Sequence, residues 1–212
     1  MRITKFGHSC LLIEEGEARI LMDPGNFNAT PDVANVDVIL ITHEHDDHCS
    51  IDSIKHILKK NPSAEIITHD AVGKKLAGAG ISFTSINDGD ALVRRGVTIS
   101  SRGTKHARIH PDIPIIANTG FLIAKKLFYP GDSFVNPHIP VEILALPVAA
   151  PWMRIEESIE YAKEVKPRLV FPVHDGMLIP ERRGSSRMLP EKLLTPLGIQ
   201  FKDMVEGSVL EV

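Results

Sequence analysis

The sequence predicts an α/β protein in which helices are layered on β-sheet and the β-structure comes from two related halves. Three observations carry this. Short apolar runs rich in β-branched residues alternate with stretches of helical period along the whole chain. The stretch "CLLIEEGEARILMDPG" (10–25) is echoed by "FLIAKKLFYPGD" (121–132), each reading as a strand, a tight hairpin, a second strand and a Pro-Gly pair with Asp beside it. Each copy then leads into an acidic-led apolar strand, "VDVILI" (36–41) and "VEILAL" (141–146). A single echo of this kind suggests a duplicated half rather than a stacked repeat array, with two sheets facing each other across a pseudo-twofold. Chance similarity between short strands is the other reading.

Strand-type runs fall at Ser9 to Ile13, Arg19 to Met22, Val36 to Ile41, Glu65 to Thr68, Val97 to Ser101, Gly120 to Ile123, Lys126 to Tyr129, Glu142 to Leu146, Arg168 to Val173 and Ser208 to Val212. Each is bounded by Gly, Pro, Asn or Asp, as strands usually are. Helical patterns separate them. "SIDSIKHILKK" places Ile51, Ile54, Ile57 and Leu58 on one face, has cap candidates at Ser50 and Asp52, and stops at Asn61-Pro62. "RIEESIEYAKEVK" puts Ile155, Ile159, Ala162 and Val165 on one stripe, with Glu early and Lys late to complement the helix dipole. Shorter helices are expected over "DAVGKKLAGAG" and "PEKLLTPLG".

The totals bound the function. A chain of 212 residues suffices for one sizeable core, so a single domain over 1–212 is expected. Hydrophobic content of 43% with 24% charged residues is that of a soluble globular protein. A net charge of −3 gives no reason to expect nucleic acid or an anionic membrane as a partner. Aromatics at 5% argue against stacking platforms for single strands. No apolar stretch approaches the length of a membrane span, and "MRITKFGHSCLLIEEG" is broken by charges too early for a signal peptide. Two cysteines, Cys10 and Cys49, make no disulfide framework, which favours the reducing cytoplasm. A homo-oligomer is compatible with these totals.

The compositional oddity is ten histidines, and their placement matters most. "ITHEHDDHCS" (41–50) packs three of them, a glutamate and two aspartates behind an apolar strand. Charged groups there are costly unless something compensates them. His43 and His45 alternate and point the same way on an extended backbone, while Asp47 and His48 fall at the turn into the next helix. Imidazole and carboxylate together suit zinc, with manganese and iron as alternatives. Asp132 in "YPGDS", His174 in "LVFPVHDG" and His106 in "SSRGTKHARIHPD" each follow a strand in the same manner, with His110 as the rival of His106. Strand-terminal donors from separate parts of the chain point to one convergent site.

These motifs resemble the metallo-β-lactamase superfamily. "THEHDDH" fits its His-x-His-x-Asp-His signature, and the later His106, Gly131-Asp132 and "PVH" follow in the family's order over nearly the whole chain. "FGHSC" and "LMDPG" are similar to the opening of the compact branch that includes ascorbate-6-phosphate lactonase-like proteins and the N-acyl-phosphatidylethanolamine phospholipase D group. The resemblance implies a four-layer αββα sandwich with two divalent metal ions at one edge of the paired sheets. It implies that His43, His45 and His106 hold one ion and Asp47, His48 and His174 the other, with Asp132 bridging. His106 is preferred because the family's third histidine comes soon after its strand. Asp23 resembles the family's carboxylate that orients a ligand histidine, and Asp47 its proton shuttle. Two departures stand out: "GDS" where "GDT" is commoner, and "ALPVAAPW" in place of a Gly-rich segment, which reshapes the pocket floor near Val148 to Trp152.

Two cations sharing a water lower its pKa from 15.7 to roughly 7 and polarise a scissile carbonyl or phosphoryl group. No Gly-x-Ser-x-Gly elbow is present to supply another nucleophile. The expectation is therefore a dinuclear metal-dependent hydrolase using a metal-bridging hydroxide on a small-molecule ester, lactone, amide or phosphodiester. Arg102, Lys105, Arg108 and His110 around His106, and Arg182, Arg183 and Arg187 after His174, suggest an anionic substrate if both loops border the site; solvated loop charge is the alternative. His8 has two readings, a contact or proton donor to substrate and a brace for its loop. The competing classes are a mononuclear-iron oxygenase or redox protein on the same scaffold and a non-catalytic, metal-containing binding module.

Overall fold

The computed structural model describes residues 1–179, 181 and 184–212. The chain runs β1 (Arg2–Gly7), β2 (Cys10–Glu15), β3 (Ala18–Met22), β4 (Val38–Leu40), α1 (Ile51–Lys60), β5 (Glu65–Thr68), α2 (Asp70–Gly78), β6 (Thr84–Ser85), β7 (Ala91–Arg94), β8 (Val97–Arg102), β9 (Gly120–Ile123), β10 (Leu127–Tyr129), β11 (Ile143–Pro147), α3 (Ile155–Val165), β12 (Leu169–Val173), α4 (Gly184–Leu194), β13 (Gln200–Phe201) and β14 (Val209–Glu211). One seven-stranded sheet has the order β14-β1-β2-β3-β4-β5-β6 and the other β13-β12-β11-β10-β9-β8-β7.

The echo read in the sequence is a duplicated topology. In the first sheet β1, β2 and β3 are antiparallel neighbours and β3 to β6 run parallel; in the second, β8 to β10 and β10 to β13 repeat that pattern. The crossovers match as well, with α1 and α3 each joining the fourth and fifth strands of a half. Each inter-sheet face contributes to one apolar layer that includes Ile13, Ile20, Leu40, Ile99, Phe121, Ile123, Ile143 and Phe171. The outer faces are covered by helices, α1 and α2 on one sheet and α3 and α4 on the other. The result is the expected αββα sandwich. Full burial of each such aliphatic or aromatic side chain contributes about 1.5–3 kcal/mol, which makes the central layer the dominant favourable term.

Local signals place the helix that follows the histidine-rich loop. Ser50 caps α1 by accepting from the Ser53 N–H, Asp52 sits in the first turn, and Lys59 and Lys60 in the last. Asn61 stops it: its side-chain amide donates to Ile57 and Val33 carbonyls while its Oδ1 accepts from Val36 N–H, stapling the helix end to the chain entering β4.

Two expectations need correction. The last helix begins at Gly184, not at Pro190, and runs through Pro190 before a 3-10 turn at Thr195–Leu197. Pro190 forfeits one helical hydrogen bond, and burial of Arg187, Pro190 and Leu194 along the helix offsets that cost. Strand β1 also lay outside the predicted set. Its inward positions are Ile3, Lys5 and Gly7, so a lysine occupies a core position and breaks the apolar alternation. The two-residue edge strands β6 and β13 likewise carry too few apolar residues to announce themselves, and β7, Ala91–Arg94, is only four residues long and partly exposed.

Candidate metal centre

The predicted donors all meet at one edge of the sandwich, each on a loop that leaves the end of a strand. His8 follows β1, Asp23 follows β3, the His43–His48 loop follows β4, His106 follows β8, Asp132 follows β10 and His174 follows β12. Because the halves are duplicated, loops from both sheets converge there. Gly25 allows this packing: a Cβ on it would lie 1.7 Å from the Asp47 carbonyl oxygen, so only glycine lets the Asp23 loop rest on the Asp46–His48 backbone. Gly131, at φ +63°, turns the chain so that Asp132 enters the site. His8, Asp23 and His174 also hold left-handed backbone, which residues with a Cβ adopt at a cost and which clusters at functional sites.

Two groups of donor atoms form, His8/Asp47/His48/His174 and His43/His45/His106/Asp132, with the atoms of each within 4.8 Å of one another. Asp132 reaches both groups. Its Oδ1 lies 3.1 Å from His48 Nε2, and its Oδ2 lies 2.9 Å from His174 Nε2, 3.3 Å from His106 Nε2 and 3.9 Å from His43 Nε2. His43 Nε2 is 3.1 Å from His45 Nδ1, and Asp47 Oδ2 is 3.6 Å from His174 Nε2 and 3.7 Å from His48 Nε2.

Hydrogen bonds behind the rings set their tautomers. His48 Nδ1–H donates to Asp23 Oδ2 (2.7 Å), His106 Nδ1–H to the Ala107 carbonyl (2.6 Å) and His174 Nδ1–H to the Ala149 carbonyl (2.6 Å). The Thr42 hydroxyl donates to Asp23 Oδ2, so its oxygen accepts from His43 Nδ1–H at 3.0 Å. In the neutral rings every Nε2 therefore presents a lone pair to the centre. His48 Nε2, His106 Nε2, His174 Nε2 and Asp132 Oδ1 are buried with no aligned hydrogen-bond partner among the described residues. Lone pairs this close repel unless a cation lies between them, so the donor set fits metal ions. The electrostatics agree. Burial opposes charge on His48, yet Asp132 and Asp23 outweigh it and raise its pKa well above the ordinary value, so without an ion this ring holds a positive charge that a bound cation would displace. Burial likewise penalises the Asp132 carboxylate, but His48 and His174 hold its pKa well below the usual range. Burial with neighbouring imidazoles keeps His43 and His45 neutral, the form that ligates.

His8 belongs to the first group by distance but not by chemistry. The Gly176 N–H donates to His8 Nδ1 (3.0 Å), so the proton resides on Nε2 and is donated to Asp47 Oδ2 (3.1 Å). The ring is fully buried, and burial draws its pKa down to about 4. Such a ring braces Asp47 and has no lone pair left for an ion.

His110 and Arg108 are exposed, and His110 lies beside Asp112 rather than among the donors. Arg182 and Arg183 lie outside the described residues. Arg187, read in the sequence as part of a cationic mouth, instead turns inward to Asp175 and Asp203. Two contributors were missed. Trp152 Nε1–H donates to Asp132 Oδ2 at 2.8 Å, from the loop after β11 that is the second half's counterpart of the histidine-rich loop. Asn118 pins the turn before Asp132, accepting from Asp132 N–H at 3.0 Å and donating to the Pro130 carbonyl at 2.9 Å. The "APW" segment gave the only sequence signal for the first, as a departure near the site; Asn118 had none.

Residues 2–174 match the family described as "Beta-lactamase superfamily domain". Protein Rv0786c of Mycobacterium tuberculosis is 37% identical over 190 residues, covering 87% of this chain and 88% of the relative. The UPF0173 metal-dependent hydrolase Ta0764 of Thermoplasma acidophilum is 26% identical over 191 residues, covering 82% and 83%. Igni18, a metallo hydrolase from Ignicoccus hospitalis, superposes with a TM-score of 0.75 at 19% identity over 100% of this chain and 98% of its own, which shows a shared fold. The chain belongs to the metallo-β-lactamase superfamily. The family match ends at His174, yet the residues beyond it complete both sheets through β13 and β14.

Proposed function

We propose that this chain is a metal-dependent hydrolase holding two divalent cations, one by His43, His45 and His106 and the other by Asp47, His48 and His174, with Asp132 between them. The observation that carries the reading is Asp132, whose two oxygens approach donors of both groups. Relatives described as metal-dependent hydrolases support it. Zinc suits the imidazole-rich set best, with manganese and iron as alternatives. Bound ions would supply an acidified water and polarise the scissile carbonyl or phosphoryl group.

The chain's own residues do the rest. Asp23 orients His48, a role whose loss usually weakens metal affinity ~10–100-fold. Burial pushes the Asp47 carboxyl up, but the His8 hydrogen bond and the His48 imidazole outweigh it and bring it to about 2. Asp47 therefore stays ionised as a ligand, and a proton it accepts from water is passed on rather than kept. His8 holds that carboxylate in place, which favours bracing over donation to a leaving group. Exposed Lys105, Arg108 and His110, on the loop after β8 that carries His106, support a small anionic ester, lactone, amide or phosphodiester.

Metal analysis with a hydrolysis panel tests the proposal. Two zinc or manganese ions per chain with turnover of an ester or phosphodiester is the expected result. One iron with oxygen consumption, or full metal occupancy without turnover, would replace it with the oxygenase or the binding module. Within the panel, His106→Ala should lower metal content and activity far more than His110→Ala, because His106 is buried against Asp132 and His110 is exposed. The reverse order would exchange their roles.

A further inference from the structure

Loops leaving the metal edge expose large apolar side chains. Phe27, on the loop after Asp23, is 47% exposed; Met177 and Ile179 follow His174 with 42% and 51%; Ile113 and Ile115 stand on the loop after His106. Single exposed apolar residues need no explanation, but a cluster lining a concavity does. Phe27 and Met177 line one cleft of about 770 Å³ together with Asn26, Asn28, Gly176 and Glu206. That volume is within the range of small-molecule sites, roughly 300–1,000 Å³.

The cleft lies beside the donor clusters, with the buried His8 ring between them. The Phe27 ring centroid lies 5.0 Å from the His8 ring, and Gly176 donates its N–H to His8 Nδ1, while the opposite nitrogen of His8 bonds Asp47. The loop carrying Phe27 is tied to the histidine-rich loop by the Asn26 N–H donating to the Asp46 carbonyl at 2.9 Å. The wall is thus anchored on the same backbone that presents Asp47 and His48. The Phe27 ring and the Met177 thioether are the adaptable apolar part of a lining to which Asn26, Asn28 and Glu206 contribute polar groups.

We propose that this cleft takes the apolar part of the substrate, so that the hydrolysed molecule is amphiphilic, with its scissile group at the donor clusters and a medium-length acyl or aryl group against Phe27 and Met177. The inference rests on the hydrolase reading for its chemistry but not for its binding surface. Two measurements on the metal-reconstituted protein separate them. In the first, p-nitrophenyl esters from acetate to octanoate are compared. kcat/KM should rise about twofold per added methylene, half the free energy of complete methylene burial because the cleft is open to solvent. Phe27→Ala should lower the octanoate-to-acetate ratio about tenfold, whereas Val93→Ala, an exposed apolar change on the edge strand β7, should leave the slope intact. In the second, the 13C-methyl signals of the methionines are followed during titration with octanoate and with acetate. Octanoate should shift the Met177 signal saturably and acetate should not. Turnover without chain-length dependence, together with a silent Met177, would overturn the inference. Octanoate binding without turnover of any ester would support the cleft and count against the hydrolase reading.

Discussion

Asp132→Ala is expected to empty both cation positions, taking bound metal from two equivalents to well under one and activity down by about a thousandfold or more. The magnitude follows from withdrawing several kcal/mol of transition-state stabilisation, at about 1.4 kcal/mol per decade of rate. The breadth of the loss follows from geometry. His48 Nε2 lies 3.1 Å from one carboxylate oxygen, and His174 and His106 lie 2.9 Å and 3.3 Å from the other, so no second residue can replace the shared negative charge. Without it two neighbouring cations repel each other with no negative charge between them, and in their absence the converging lone pairs do the same. His48→Ala should behave differently, leaving close to one equivalent, because His43, His45, His106 and Asp132 remain together. Trp152→Phe should keep both ions but bind them ~10–100-fold more weakly, since it removes only the indole N–H that orients Asp132. Metal content after equilibrium dialysis, measured beside turnover, distinguishes the three. Two firmly bound equivalents in Asp132→Ala would show that the carboxylate does not join the sites.

Much of this centre is legible in the sequence because of where its residues stand. His43 to His48 form a contiguous run behind an apolar strand, and Asp132 and His174 follow strands whose hydrophobicity is plain. The duplicated hairpins also predict that loops from two sheets reach one edge. What the sequence hides are contacts that depend on tertiary packing. Trp152 reads as part of the pocket floor until its indole N–H is found on Asp132, and nothing in the sequence marks Asn118, whose amide clasps Pro130 and Asp132. Sequence leaves His8 with two roles, and only the donor at its Nδ1 decides which nitrogen holds the proton. Arg187 sits in an arginine-rich segment that looks solvated, yet it is buried.

That buried arginine belongs to a charge cluster whose disruption should have the largest effect on stability. Lys5 Nζ donates to Asp175 Oδ1 and the Pro172 carbonyl at 2.8 Å and to the Met204 carbonyl at 3.3 Å, which uses all three ammonium protons. Arg187 Nη2 donates to Asp175 Oδ2 at 2.5 Å, and Arg187 also pairs with Asp203. Both Lys5 and Asp175 are essentially inaccessible to solvent. Removing one member of a buried pair costs about 3–5 kcal/mol, because the partner keeps its desolvation penalty without its counter-charge. Asp175→Ala should therefore destabilise by that amount, leaving two cations facing each other, and lower Tm by roughly 6–20 °C for a chain of this size. Lys5→Met should cost less, since Arg187 still neutralises Asp175 and methionine fills the strand position. The pair of changes together should cost less than their sum by about 1 kcal/mol or more, the signature of direct coupling. Urea unfolding of metal-free protein measures all three without interference from bound ions. Additive effects, or an Asp175→Ala protein within about 1 kcal/mol of wild type, would mean that β1 and the segment after His174 are held together by apolar packing rather than by this cluster.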